Sequence, residues 1–146
     1  MVRWKSCKNF CIFDPDLAYI DAVSGTNYDL LITDLFFDEQ EFTSADIRNL
    51  GNKSNGGKRL VVAYMSIGEA EDYRYYWNSN WETNPPSWLK GENPNWEGNY
   101  KVEYWDTNWQ QIIFGNDTSY VKKILDAGFD GVYLDIIDAF EYFEEL

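Results

Sequence analysis

A chain of 146 residues with 45% hydrophobic and 18% aromatic side chains is too apolar for disorder, suits one compact domain over residues 1–146, and has no apolar run near the roughly 20 residues of a membrane span. Its formal charge of −13 repels phosphate backbones, so neither nucleic acid nor a membrane is an expected partner, and an acidic field favours cationic or neutral ligands. There is no histidine, and the only cysteines are Cys7 and Cys11; this excludes Ser-His-Asp and Cys-His nucleophilic chemistry and an ordinary zinc site, so no cofactor or metal is expected and proton chemistry falls to carboxylates and tyrosines.

Residues 9–14 read as a first strand, with Cys7 and Cys11 as free thiols in or beside it. The preceding basic start has neither an apolar h-region nor a small-residue cleavage site, so no signal peptide is expected there. Residues 16–23 read as a helix with Leu17, Ile20 and Val23 on one face, and residues 28–34 as a second strand. Thr43 or Ser44 caps the next helix and Gly51 stops it. An exposed turn then leads to a third strand, 59–66. After a long aromatic stretch, residues 100–106 read as a fourth strand and 108–114 as a helix. The clearest helix follows at 116–128: Asp117 or Thr118 caps it, Val121, Ile124 and Leu125 form its buried face, and Gly128 ends it. Residues 131–135 form a fifth strand.

Strands alternating with helices predict βα units and a parallel α/β sheet, with no hairpins indicated. Each strand ends in acid: Asp14, Asp34, Glu69 just beyond its strand, Asp106 and Asp135. A parallel sheet gathers strand C-termini on one face, where α/β folds build their sites. Asp14, before Pro15, and Asp106, before a helix, read equally as caps; Glu69 and Asp135 are the stronger site candidates.

Converging carboxylates suit glycoside hydrolysis, or the binding of a hard divalent cation through Asp34, Glu69 and Asp135. The aromatic content favours sugar. Six of the seven tryptophans, Trp77, Trp81, Trp88, Trp96, Trp105 and Trp109, fall between the third strand and the helix after the fourth, and flat rings offer apolar faces to sugar rings. Trp105, beside Asp106, is the leading one. Tyr64, Tyr73 and Tyr104 are hydrogen-bond donors to sugar or core fillers. Arg74 pairs with a carboxylate, at the site or with Glu71 or Asp72 on the surface.

The stretches "AYMSIGEAEDYRYYW", "ENPNWEGNYKVEYWDTNWQ" and "GFDGVYLDIIDAFEYF" together resemble the glycoside hydrolase family 114-type TIM-barrel domain, the endo-alpha-1,4-polygalactosaminidase-related group once partly labelled cysteinyl-tRNA synthetase-related. The resemblance implies a parallel (β/α)8 TIM barrel, of which about the first five βα units are expected here, acting on alpha-linked, galactosamine-type polysaccharide in a secreted or periplasmic setting. It implies Asp135 as nucleophile of a retaining mechanism, with Glu69 and Glu71 orienting substrate or one of them substituting as the acid. The family's acid/base glutamate is expected on a later strand. The chain is therefore expected to be a C-terminally incomplete barrel, inactive alone and prone to self-association through open strand edges. A noncatalytic glycan-binding module is the competing reading. A tRNA-charging role has no support, since there is no nucleotide-binding motif and no basic surface.

Overall fold

The computed structural model describes residues 17–37 and 40–144. The predicted first strand, with Cys7, Cys11 and Asp14, lies outside the described residues. The described residues fall into two compact units, one running through Met65 with Lys123–Tyr133, the other Ser66–Lys122 with the chain from Leu134 onward. No helix among the described residues is long and apolar enough to cross a membrane.

The first unit opens with α1 (Leu17–Ser24), which turns Tyr19 and Val23 inward, and β1 (Leu30–Thr33). The chain then makes a two-residue antiparallel ribbon, β2 (Phe36–Phe37) and β3 (Gln40–Glu41). Helix α2 (Ser44–Leu50) takes Thr43, one of its two candidate caps, and closes a capping box: Thr43 Oγ1 accepts from Asp46 N–H at 3.3 Å while the Asp46 carboxylate accepts from Thr43 N–H at 2.9 Å. Ile47 and Leu50 form its buried side.

Strand β4 (Leu60–Ser66) pairs in parallel with β1, Leu30 opposite Leu60 and Thr33 opposite Ala63. Burial alternates along it with the period of a pleated strand, Val61, Ala63 and Met65 inward. At its entry the buried Arg59 donates to the carbonyls of Val23, Thr26 and Asn52 and to Thr26 Oγ1, tying three segments together.

Helix α4 (Tyr120–Ala127) begins later than its predicted caps, because Asn116 first accepts from Thr118 N–H at 2.7 Å and holds a separate turn. Its buried positions are Tyr120, Ile124 and Ala127; Leu125, expected on that face, is 63% exposed. Gly128, at φ +87°, ends the helix in the left-handed conformation. Strand β8 (Gly131–Asp135) then lies beside β4, giving the sheet order β1-β4-β8. Asp130 sets its entry, donating its N–H to the Val61 carbonyl and accepting from Val61 N–H through its side chain, each at 2.8 Å. Among the described strands β8 is an edge, and Val132, Tyr133 and Leu134 are all at least 39% exposed.

The second unit corrects the all-parallel expectation. Strands β5 (Glu69–Glu71), β6 (Leu89–Glu92) and β7 (Asn99–Val102) form a separate antiparallel sheet in the order β5-β7-β6. The predicted fourth strand is thus the centre of an antiparallel sheet and stops at Val102. The β6–β7 hairpin turns through residues 93–98, where Asn93 N–H donates to Asn99 O at 2.6 Å. Gly98 is needed twice: its φ is +82°, and a Cβ there would lie 2.7 Å from Asp72 Oδ1. Helices α3 (Thr107–Ile113) and α5 (Phe140–Glu144) complete this unit. Its core holds Ala70, Trp88, Leu89, Val102, Trp109 and Ile113, so two of the six clustered tryptophans are packing residues.

Candidate functional site

Of the candidate side chains, Glu69, Glu71, Tyr73, Arg74, Tyr104, Trp105, Asp106 and Asp135 lie in the second unit. Glu69 and Glu71 sit on β5, the strand that the chain enters as soon as it leaves β4. Both are buried, and each is answered by its own cation.

Glu69 stands opposite Lys101 in the β5–β7 register. Lys101 Nζ lies 2.6 Å from Glu69 Oε1, and Asn93 Nδ2 donates to the same oxygen at 2.8 Å. Both donors meet Oε1, and Oε2 has no hydrogen-bond partner among the described residues. Lys101 also lies over the Tyr142 ring of α5, 5.9 Å from its centroid. None of Lys101, Asn93 and Tyr142 was singled out in the sequence. The first two become visible only with the antiparallel register, which the turn signals Asn93, Pro94 and Gly98 announce.

Glu71 accepts from Tyr73 O–H at 2.6 Å through Oε1 and from Arg74 Nε through Oε2. Arg74 is thereby paired as expected, but inside the fold, the two side chains being 3% and 4% exposed. Its guanidinium lies 5.1 Å from the Tyr73 ring centroid and 5.6 Å from that of Tyr120. Tyr76 O–H accepts from Glu71 N–H at 3.2 Å, and burial pushes that phenol well above the usual tyrosine range, with the Glu71 charge adding to it. Both carboxylate oxygens of Glu71 are occupied, which makes it a framework group.

Asp135 is the last residue of β8, where the sequence placed it. Its carbonyl accepts from Ile67 N–H at 3.2 Å, and the Ile67 carbonyl accepts from Trp109 Nε1 at 2.9 Å. Ile136, next in the chain, has φ +56° and is the only non-glycine residue at positive φ among those described. For a β-branched residue that conformation costs about 1–2 kcal/mol.

Tyr104 and Trp105 present broad, exposed rings, 39% and 50% exposed, and Phe143 of α5 meets both edge-on, the closer at 4.7 Å. Asp106 is the N-cap of α3, its Oδ1 accepting from Asn108 N–H at 2.7 Å; of its two readings the cap is the one seen. Of the remaining tryptophans, Trp96 is exposed, while Trp77 and Trp81 pack edge to face at 5.1 Å.

Asp34 and Tyr64 belong to the first unit. Asp34 follows β1 and accepts from Phe36 N–H at 2.9 Å, closing the turn into β2. Tyr64 stacks on Tyr133 at 6.4 Å. Among the described residues no three acidic or cysteine side chains are grouped to hold a metal ion.

A second acidic group lies around Asp72, whose carboxyl is raised above the usual aspartate range by burial and by the neighbouring Glu92, Glu82 and Glu97.

The β1-β4-β8 sheet with its helices, taken with the solved glycoside hydrolase domains it aligns with, makes this an α/β domain of the parallel (β/α)8 TIM-barrel type. It aligns with the glycoside hydrolase domain of PelA from Pseudomonas aeruginosa at a TM-score of 0.60 and 16% identity, covering 90% of this chain and 45% of that one. It aligns with Aspergillus fumigatus Ega3, in its crystal structure with galactosamine, at a TM-score of 0.57 and 24% identity, covering 79% and 39%. The chain belongs to glycoside-hydrolase family GH114, whose profile matches residues 13–146. It is also 46% identical over 128 residues to the uncharacterized protein MJ1477 of Methanocaldococcus jannaschii, covering 88% of this chain and 36% of that protein. An uncharacterized Thermotoga maritima protein is 40% identical over 123 residues, covering 84% and 36%. The chain thus spans about a third of the length of the curated relatives it matches.

Proposed function

We propose that this chain carries the nucleophile half of a retaining glycosidase site for alpha-linked, galactosamine-type polysaccharide. Asp135 at the end of β8 is the observation that carries the reading: a carboxylate at a strand exit, its backbone tied to Ile67. In such a mechanism it attacks the anomeric carbon and the glycosidic bond breaks, the leaving oxygen being protonated by a second carboxyl group; water then releases the sugar. Glu69 suits substrate orientation better than acid catalysis. Lys101 neutralises it through Oε1, a pairing that suits a positioning carboxylate better than a proton donor. Trp105 and Tyr104 supply the ring faces on which a pyranose stacks. Galactosamine bound to Ega3 and a net charge of −13 both favour a cationic sugar over a neutral one.

The acid partner belongs, on this reading, to a later strand of the longer relatives. On this reading turnover requires that partner, and the exposed apolar edge of β8 is a surface for self-association. Reducing-end release from a galactosamine polymer, by a form carrying the relatives' additional length, tests this. Asp135→Asn is expected to abolish release while leaving the fold intact, and turnover that survives the substitution refutes the assignment. The noncatalytic binding reading is favoured if neither form cleaves but both bind.

A further inference from the structure

We propose that Gly68 and Ile136 form a backbone clasp that positions Asp135, making both of them positioning residues of the site. The inference rests on the reading of Asp135 as a site carboxylate, and its geometry is independent of the substrate.

The clasp is built from two observations that the mechanism does not use. A Cβ added at Gly68 would lie 2.4 Å from the Ile136 carbonyl oxygen, 2.4 Å from Ala139 Cβ and 2.8 Å from Ile136 Cγ2. No side chain fits there, so the backbone immediately before Glu69 is pressed onto the turn immediately after Asp135. The second observation is Ile136 itself, held at φ +56° although β-branched residues avoid that region and glycine or asparagine would occupy it without penalty. Strained residues of this kind persist where the surroundings over-determine them, and they cluster at functional sites.

The strain has a local purpose. With Ile136 in the left-handed region the chain reverses directly after β8, and its carbonyl turns to accept from Ala139 N–H at 3.3 Å. Asp135 is then bracketed: on one side its own carbonyl holds Ile67 N–H, and on the other Ile136 is wedged against Gly68. Ile67 is itself held by the buried Trp109. Glycine or asparagine at position 136 could make the same turn but would lack the Ile136 Cγ2 that packs against Gly68, so it is this side-chain wedge, against the residue's own backbone preference, that aims the carboxylate.

The test reads the Asp135 side chain directly. Three-bond couplings from its Cγ to its backbone N and carbonyl C report χ1 in the 146-residue chain. Calorimetry with a galactosamine oligosaccharide reports binding, and circular dichroism with a cooperative urea transition reports folding. In the unsubstituted protein a single rotamer is expected. Folded Ile136→Gly and Ile136→Asn variants are expected to show averaged couplings and a loss of oligosaccharide affinity relative to the unsubstituted chain. Ile136→Val, which keeps the β-branch, is expected to keep the single rotamer. A single unchanged rotamer in the folded glycine and asparagine variants overturns the clasp, and so does failure of both to fold, which would make Ile136 a folding residue. If the unsubstituted chain binds no galactosamine oligosaccharide, the substrate reading fails while the couplings still decide the clasp.

Discussion

Replacing Arg74 by methionine leaves the Glu71 carboxylate buried without its cation. The two side chains are 3% and 4% exposed, so neither can turn to water, and Tyr73 O–H alone remains on the carboxylate. Breaking a buried pair from one side costs about 3–5 kcal/mol, because a desolvated charge is left uncompensated. The stacking of Arg74 between Tyr73 and Tyr120 places the loss toward the upper end, while the methionine stem keeps part of the packing. Domains of this size have about 5–15 kcal/mol in total, so the variant should fold but be marginal. At about 2–4 °C per kcal/mol its melting temperature should fall by roughly 6–20 °C. Urea unfolding followed by circular dichroism measures the loss. Adding Glu71→Met should restore part of it, since the orphaned charge goes too, and the double-mutant cycle isolates the pair. A loss below about 1 kcal/mol for Arg74→Met alone would put the pair in the surface regime and refute the reasoning.

Asp72 holds its proton more tightly in the folded chain, by burial and by Glu92, Glu82 and Glu97. For an acid raised in this way, stability is greatest below the ordinary aspartate range and falls as pH climbs through the raised value. Asp72→Asn should therefore increase the urea midpoint at pH 7, with the gain shrinking as pH falls toward about 4; an equal gain at both pH values contradicts this. Binding of galactosamine oligomers should weaken as salt rises and exceed that of neutral hexose oligomers, and salt-independent, equal binding would leave ring stacking as the sole recognition force. Light scattering should show the chain associating with rising concentration, and Leu134→Lys, a charge on the β8 edge, should reduce it. A monomer at all concentrations would remove β8 as an interface.

Periodicity and punctuation made much of this architecture legible. The cap at Thr43 or Ser44, the stop at Gly128 and the strand at Gly131–Asp135 are local signals, and local geometry followed them. The misreadings arise where pairing partners are distant in sequence. Tyr100 to Val102 look the same whether they pair in parallel or antiparallel; only the hairpin after Glu92 decides, and its cues are three residues of turn chemistry. Leu125 fits a helical stripe, yet that side of α4 is exposed. The carboxylates are legible as residue types at strand exits, and Arg74 as a partner for Glu71, but the partners of Glu69 are not. Lys101 meets Glu69 across thirty-odd residues through sheet register. Ile136 gives no signal at all, since nothing in the letters announces a β-branched residue at positive φ.

Chemical-shift mapping tests most directly whether the end of β8 and the neighbouring β5 make the sugar site. Adding a galactosamine oligosaccharide to labelled 146-residue chain is predicted to shift the resonances of Asp135, Glu69, Lys101, Tyr104 and Trp105 together, at one saturating concentration. Shifts confined to the Asp72, Glu92 and Trp96 region, or none at any concentration, would contradict it.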